Sequence, residues 1–270
     1  MVLRFHYRVI SGIQVTKCSI IAFRKCPNLA NTRGWRRIHH VHIPKTGGTS
    51  ANQAIISALG PGHNTESWYS EMFPYPHTII RNRTVLSAWN TDLMRVVRPH
   101  FSFAHTPLHE LKRQKTTFLF TVLRDPVRRV VSEFFYHRQL LPRAADFPEL
   151  AESIVAASES KSVSEWLGHI GTSCNVTTQM FSRLRDPSEA VDAIKSLDCV
   201  LMNPISGNID LAPLVKNFPR LKLTSERIRP STPRNFVKEL GSVGQVREIL
   251  AHDISVWRAV TGMPTMLDNW

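Results

Sequence analysis

The chain has 270 residues, 42% of them apolar and 20% charged, which suits one large α/β domain or two small ones and excludes a disordered polymer. It carries 34 Lys and Arg against 21 Asp and Glu, a formal charge of +13, so its natural partners are polyanions: nucleic acid, acidic lipid, nucleotides, or sulfated and carboxylated sugars. A membrane-spanning helix needs a run of about 18 apolar residues, which the sequence lacks, and four cysteines without a CxxC pair offer no zinc-ligand spacing.

The N-terminal stretch differs from the rest. Eight Lys or Arg fall within the first 40 residues (Arg4, Arg8, Lys17, Arg24, Lys25, Arg33, Arg36 and Arg37), and the first acidic residue is Glu66. An Arg-rich, acid-free start suits either an organelle transit segment or an irregular extension, and the apolar piece Ser19–Phe23 is too short for a secretory h-region. We read residues 1–35 as a basic extension and 36–270 as one domain.

Within that domain, Ile38, Val41 and Ile43 followed by Pro44 predict a strand running into a turn. Ala54, Ile55, Ala58 and Leu59 then share one helical face, with Gly60 as the stop. Thr116 to Leu123 is a continuous apolar, β-rich run, typical of a strand buried on both faces of a parallel sheet. Asp125 is placed to cap, and Pro126 to open, a helix over the following "VRRVVSEFFYHRQLL". A third strand is predicted over "SLDCVLMN" (196–203) and a fourth over "RLKLTS" (220–225). A last helix follows over 243–260, with Val246, Ile249, Leu250, Ile254 and Trp257 on one side. Strands alternating with helices predict a doubly wound α/β fold, in which ligands bind at the carboxyl ends of strands.

Two strand-to-helix turns lie at such ends. "PKTGGTS" (Pro44 to Ser50) combines a glycine turn and a helix N-terminus, whose N–H groups cradle anions, with the charge of Lys45 and the hydroxyls of Thr46, Thr49 and Ser50. A nucleotide-triphosphate loop needs G-x-x-x-x-G-K-[ST], with its Lys after the glycines; here Lys45 precedes Gly47 and Gly48. The second turn, "LRDPVRRVVS", puts Arg124 beside a helix N-terminus and Ser132 about two helical turns further on, within reach of the same anion only if that helix runs back across the loop.

Together the two turns resemble the sulfotransferases that use 3′-phosphoadenosine 5′-phosphosulfate (PAPS), and most of all the Golgi carbohydrate group that includes the heparan sulfate 2-O- and 6-O-sulfotransferases. "IPKTGGTS" is similar to that group's Pro-Lys-Thr loop. Arg124, Asp125, Pro126, Arg129 and Ser132 are similar to its Arg-[Asp/Glu]-Pro-x-x-Arg-x-x-Ser signature, at a separation of about 80 residues that also fits. The resemblance implies a three-layer, P-loop-like fold with a central, mainly parallel sheet flanked by helices. It implies that Lys45, Thr46, Gly47, Gly48, Thr49 and Ser50 hold the 5′-phosphosulfate, with Lys45 also catalytic, and that Arg124 and Ser132 hold the 3′-phosphate. The 2-O-sulfating members carry a His-Val-Ser-Phe segment whose His is the base. "HFSF" looks similar and puts His100 in that role, with His105 and then His109 as competitors. Fainter matches make Ser225 and Arg227 contacts of a loop closing over the donor, and put Asn175 and Gln179 on the acceptor side without assigned roles.

The resemblance further implies sulfuryl transfer to a carbohydrate hydroxyl without a metal, an acidic glycan as partner, and the Golgi lumen or secretory pathway as location. Arg95, Arg98, Lys112, Arg113, Arg138 and Arg143 are the cations available to such a polyanion. Nucleic acid is the rival explanation for the charge, but neither aromatic-interleaved basic stretches nor a helix-turn-helix pattern occurs. A phosphoryl transferase on the same scaffold and a non-catalytic polyanion-binding protein are the alternative readings. Cys174 and Cys199 suit either a disulfide or two buried thiols, and Asn82 and Asn175 each begin a glycosylation sequon.

Overall fold

The computed structural model describes residues 29, 31, 33–59, 79–81, 85–87, 100–111, 113–203, 209–223 and 239–269. In it β1 (Arg37–Val41) lies between two parallel partners, β4 (Phe101–Ala104) and β5 (Thr117–Arg124). β6 (Cys199–Asn203) extends the sheet beyond β5, and β3 (Val85–Ser87) and β2 (Ile79–Arg81) extend it beyond β4, giving the order β2-β3-β4-β1-β5-β6. Every neighbouring pair is parallel except β2 with β3. β5 is buried along its whole length up to Arg124, which is why it reads as an unbroken apolar run: helices cover both faces of the sheet.

On one face α1 (Gly48–Ala58) and α7 (Ala212–Asn217) pack over Ile38, Phe101, Phe118, Phe120 and Leu201. On the other, α5 (Val176–Phe181), α6 (Pro187–Lys195) and α9 (Ala251–Thr261) cover Val41, Ile43 and Leu123. A second core is made by helices alone: α2 (Pro126–Leu140), α3 (Ala151–Glu159), α4 (Val163–Ile170) and α8 (Val243–Ile249) meet α9 around Phe134 and Trp166. The result is the expected three-layer α/β architecture with a mainly parallel sheet.

Three expectations need correction. Leu221 to Leu223 form no strand; Leu221 is buried beside Phe218 and needs no sheet partner to be so. The helix expected over 243–260 is two helices, because Leu250 turns the chain at φ −89° and ψ 9° between α8 and α9. The packed unit also begins before residue 36. Leu29 is buried in the sheet core, and the Trp35 ring meets Phe118 edge-on at 4.7 Å.

Candidate active site

The loop after β1 is held from within and from the side. Lys45 takes the left-handed conformation (φ 64°), a strained choice for a residue with a Cβ. Thr46 is fully buried and its hydroxyl donates to the Ile43 carbonyl at 2.9 Å, so this side chain braces the loop from inside. Asn203, at the end of β6, donates to the Thr46 carbonyl at 2.6 Å, and Arg124, its register partner at the end of β5, donates to the Lys45 carbonyl at 3.0 Å. With these carbonyls engaged, α1 begins at Gly47 with no side-chain cap and no acidic residue in its first turn. An uncapped N-terminus of this kind attracts an anion through its N–H groups and dipole. Thr49 and Ser50 stand half-buried in that first turn.

The two glycines are required for different reasons. Gly47 has φ 95°, and a Cβ there would lie 2.5 Å from Asn203 Nδ2. Gly48 is helical, but a Cβ there would lie 2.5 Å from His40 Cε1 and from His42 Nε2. Histidine rings therefore form the floor beneath the start of the helix.

α2 runs back across the loop. Its N-cap is Asp125, which accepts from Arg128 N at 2.9 Å and from Met266 N at 2.7 Å, so this acid is a brace and not a ligand. The Lys45 ammonium lies 3.8 Å from the centroid of the Tyr136 ring. Ser132 stands one turn before Tyr136 on the same helical face. Arg129, the other basic residue of the signature, is fully buried and turned away. It donates to Glu133 at 2.7 Å and to the Cys174 carbonyl at 2.6 Å.

The histidines divide between the two ends of the sheet. His100 precedes β4 at its amino end, level with Arg37, and its main-chain oxygen accepts from Ile38 N at 2.8 Å. The anion loop leaves β1 at the opposite edge, and five strand residues at about 3.3 Å each put roughly 16 Å between the positions of His100 and His105. The expectation of His100 as base does not fit this arrangement. His105 follows β4 at its carboxyl end, donates from Nδ1 to the His42 carbonyl, and has its ring 4.3 Å from that of His42. His42 in turn stacks at 4.7 Å on His40, which shares a 2.6 Å hydrogen bond with Asn52 of α1 and stacks on Phe120 at 4.5 Å. Burial holds the His105 imidazole down to about 4 and His40 down to about 3, and pushes His42 well below the usual range. All three are neutral at pH 7. A carbonyl oxygen only accepts, so Nδ1 of His105 carries the proton and Nε2 carries the lone pair.

The remaining candidates scatter. His109 is exposed in a short helical turn. Asn175 is buried, donating to the Ile249 carbonyl at 2.6 Å and accepting from Asp253 N at 3.1 Å, so its sequon presents no amide at the surface. Gln179 sits half-buried in α5. Arg113 is paired with Asp198 and Arg143 with Asp146, each at 2.8 Å, while Arg138 lies exposed on α2, 5.4 Å from the Phe134 ring. Ser225, Arg227, Asn82, Arg95, Arg98 and Lys112 lie outside the described residues. Cys174 and Cys199 are free, buried thiols in separate cores, both pushed up to about 12 by burial. Among the described residues no group of three or more His, Cys, Asp or Glu is arranged to hold a metal ion, and no helix is long and apolar enough to cross a membrane. Sequence reasoning missed Asn203 and Tyr136. Asn203 was discoverable as the polar residue closing a buried strand at the ligand edge, and Tyr136 as the residue four after Ser132.

An uncapped helix start at the end of β1, with Arg124 beside it at the end of β5, is an arrangement suited to an anion at the carboxyl edge of a parallel sheet. The profile of the sulfotransferase family matches residues 31–189, which include both turns, and the chain belongs to that family. A search of characterised proteins finds no match to it.

Proposed function

We propose that this sulfotransferase moves a sulfuryl group from PAPS to a hydroxyl of a carbohydrate, an acidic glycan, by in-line attack with a histidine as general base. The observation that carries the reading is the hydrogen bond from Arg124 to the Lys45 carbonyl, which brings the two turns side by side, as one doubly anionic adenosine carrier gripped by both would require. The residues fit that carrier. The glycine start of α1, left uncapped by any side chain, suits a 5′-phosphosulfate, and Arg124 with Ser132 offers a guanidinium and a hydroxyl to a 3′-phosphate. Bound there, PAPS supplies an activated sulfuryl group.

The chain's own groups would do the rest. Sulfuryl transfer resembles phosphoryl transfer in asking for alignment and charge stabilisation more than covalent work. Lys45 and the N–H groups at the start of α1 supply positive charge where a departing phosphate needs it. Our candidate base is His105 in place of His100. It is neutral at pH 7, its Nε2 holds the lone pair, and the Glu133 carboxylate nearby favours the protonated form once a proton arrives. The net charge of +13 supports an acidic acceptor, and the same resemblance leads us to propose the Golgi lumen or another secretory compartment as the place of action.

Thermal melts with 3′-phosphoadenosine 5′-phosphate (PAP) and with ATP test the donor, because a ligand that binds only the folded state raises Tm. PAP is expected to raise it and ATP to leave it unchanged; the reverse would favour phosphoryl transfer. Radiolabelled PAPS offered with a panel of desulfated glycans then tests the acceptor. Binding of PAP with no transfer to any glycan would overturn the carbohydrate assignment.

A further inference from the structure

Lys45 is held in the loop at three points. Its backbone is strained into the left-handed region, its carbonyl is taken by Arg124, and its ammonium lies 3.8 Å from the centroid of the Tyr136 ring. A cation that close to an aromatic face is held by the ring's quadrupole. The ring is itself held: Tyr136 packs against the small cluster of Leu140, Phe147 and Ile154. A flexible four-carbon side chain thus has its tip fixed by a residue 91 positions later in the chain.

We propose that Tyr136 is a positioning residue for Lys45: its ring face holds the ammonium at the mouth of the glycine loop, so that an incoming anion meets an already ordered cation. The proposal rests on reading Lys45 as the cation of the donor loop. Lysine loses much rotamer freedom when it binds an anion, and a side chain already ordered in the free protein gives up less. The hydroxyl of Tyr136 is not needed for this; the ring face is. Phenylalanine should therefore replace it, and leucine should not.

Calorimetry with PAP on wild type, Tyr136→Phe, Tyr136→Leu, Lys45→Ala and the Tyr136→Leu/Lys45→Ala pair provides the test. Tyr136→Leu is expected to weaken PAP binding by about 3- to 30-fold, Tyr136→Phe to bind like wild type, and Tyr136→Leu to have little further effect once Lys45 is alanine. NMR of ¹³C-methylated lysines gives a readout independent of affinity. The Lys45 methyls should show an upfield ring-current shift in wild type and Tyr136→Phe, with or without PAP, and lose it in Tyr136→Leu. If Lys45→Ala binds PAP as tightly as wild type, the reading of Lys45 fails and the proposal with it. If Lys45→Ala weakens binding but Tyr136→Leu weakens it as much in either background, the lysine role stands and the positioning role is overturned. A shift that vanishes when PAP binds, with tighter binding in Tyr136→Leu, would likewise overturn it, since the ring would then be competing with the ligand.

Discussion

The imidazole of His105 donates from Nδ1 to the main-chain oxygen of His42, joining the end of β4 to the end of β1 and leaving the two rings 4.3 Å apart. One bond settles three properties of His105: its tautomer, the orientation of its ring, and its place at the sheet edge from which the anion loop departs. His100, on the same strand but at the other end, shares none of them.

This relationship predicts how the reaction answers to substitution and pH. His105→Ala should lower kcat by about 10²- to 10⁴-fold, the usual loss of a general base, while His100→Ala stays close to wild type in transfer to whichever glycan is accepted. A base must be unprotonated to work, and burial holds His105 down to about 4. In kcat/KM against pH the acid limb should therefore fall near 4, well below the ordinary histidine value. A limb near ordinary histidine, or a larger loss at His100, would return the role to the amino end of the strand.

Gly48→Ala opposes two effects of known sign. Alanine in place of a helical glycine is worth about 0.5–1 kcal/mol in the helix's favour, whereas the new Cβ would press on the rings of His40 and His42, which Asn52, Phe120 and His105 hold in place. Forcing atoms into packed surroundings typically costs about 1–3 kcal/mol. The overlap should win, lowering stability in urea titrations and weakening PAP binding. Gly244→Ala is the control: it too lies in a helix, but a Cβ there meets nothing within 4 Å, so it should leave the protein as stable or slightly more so.

The parts of the site that the sequence made legible are those where function is written in local chemistry. The glycine loop, the Asp125 cap, Pro126 at the first turn and the apolar run of β5 each depend on neighbours in the chain, and each is found where local rules put it. What was not legible depends on which end of a strand a residue occupies. "HFSFAH" carries a histidine at either end of one short strand, and only the register of β4 against β1 tells the donor edge from the far one. Arg129 shows the same limit: its place in the signature carries no role until its buried partners, Glu133 and the Cys174 carbonyl, are known. The fourth strand failed for a related reason, because the apolar alternation of Leu221 and Leu223 records burial under α7 and not a place in the sheet.

Arg129 accordingly yields a prediction about stability. Arg129→Met removes both hydrogen bonds and leaves the Glu133 carboxylate, 15% exposed, without its cation. Breaking a buried pair on one side typically costs about 3–5 kcal/mol. Urea unfolding should show a loss of that size, and the protein that remains folded should bind PAP with wild-type affinity. Weakened PAP binding with unchanged stability would make Arg129 a ligand after all.

The buried histidines predict a weakness toward mild acid. His39 is held down to about 3, as is His40, and His105 to about 4, while His42 lies well below the usual 6.5, in each case chiefly by burial. Unfolded, each takes up a proton as pH falls through about 6.5; folded, each stays neutral until far lower pH. Between those limits the unfolded chain binds more protons, so stability should drop as pH falls, by up to about 1.4 kcal/mol per pH unit for each histidine. Most carboxylates do not titrate between about pH 6 and about pH 5, so the histidine slope is isolated there. His39→Gln removes one of the four on the face of β1 away from the loop, where its partner is Ser102 at 2.8 Å. That variant should show a measurably shallower fall in urea midpoint over the same interval. A wild-type midpoint that does not move between about pH 6.5 and about pH 5 would mean that these rings are hydrated and titrate normally, and that the packed histidine floor beneath Gly48 is not as described.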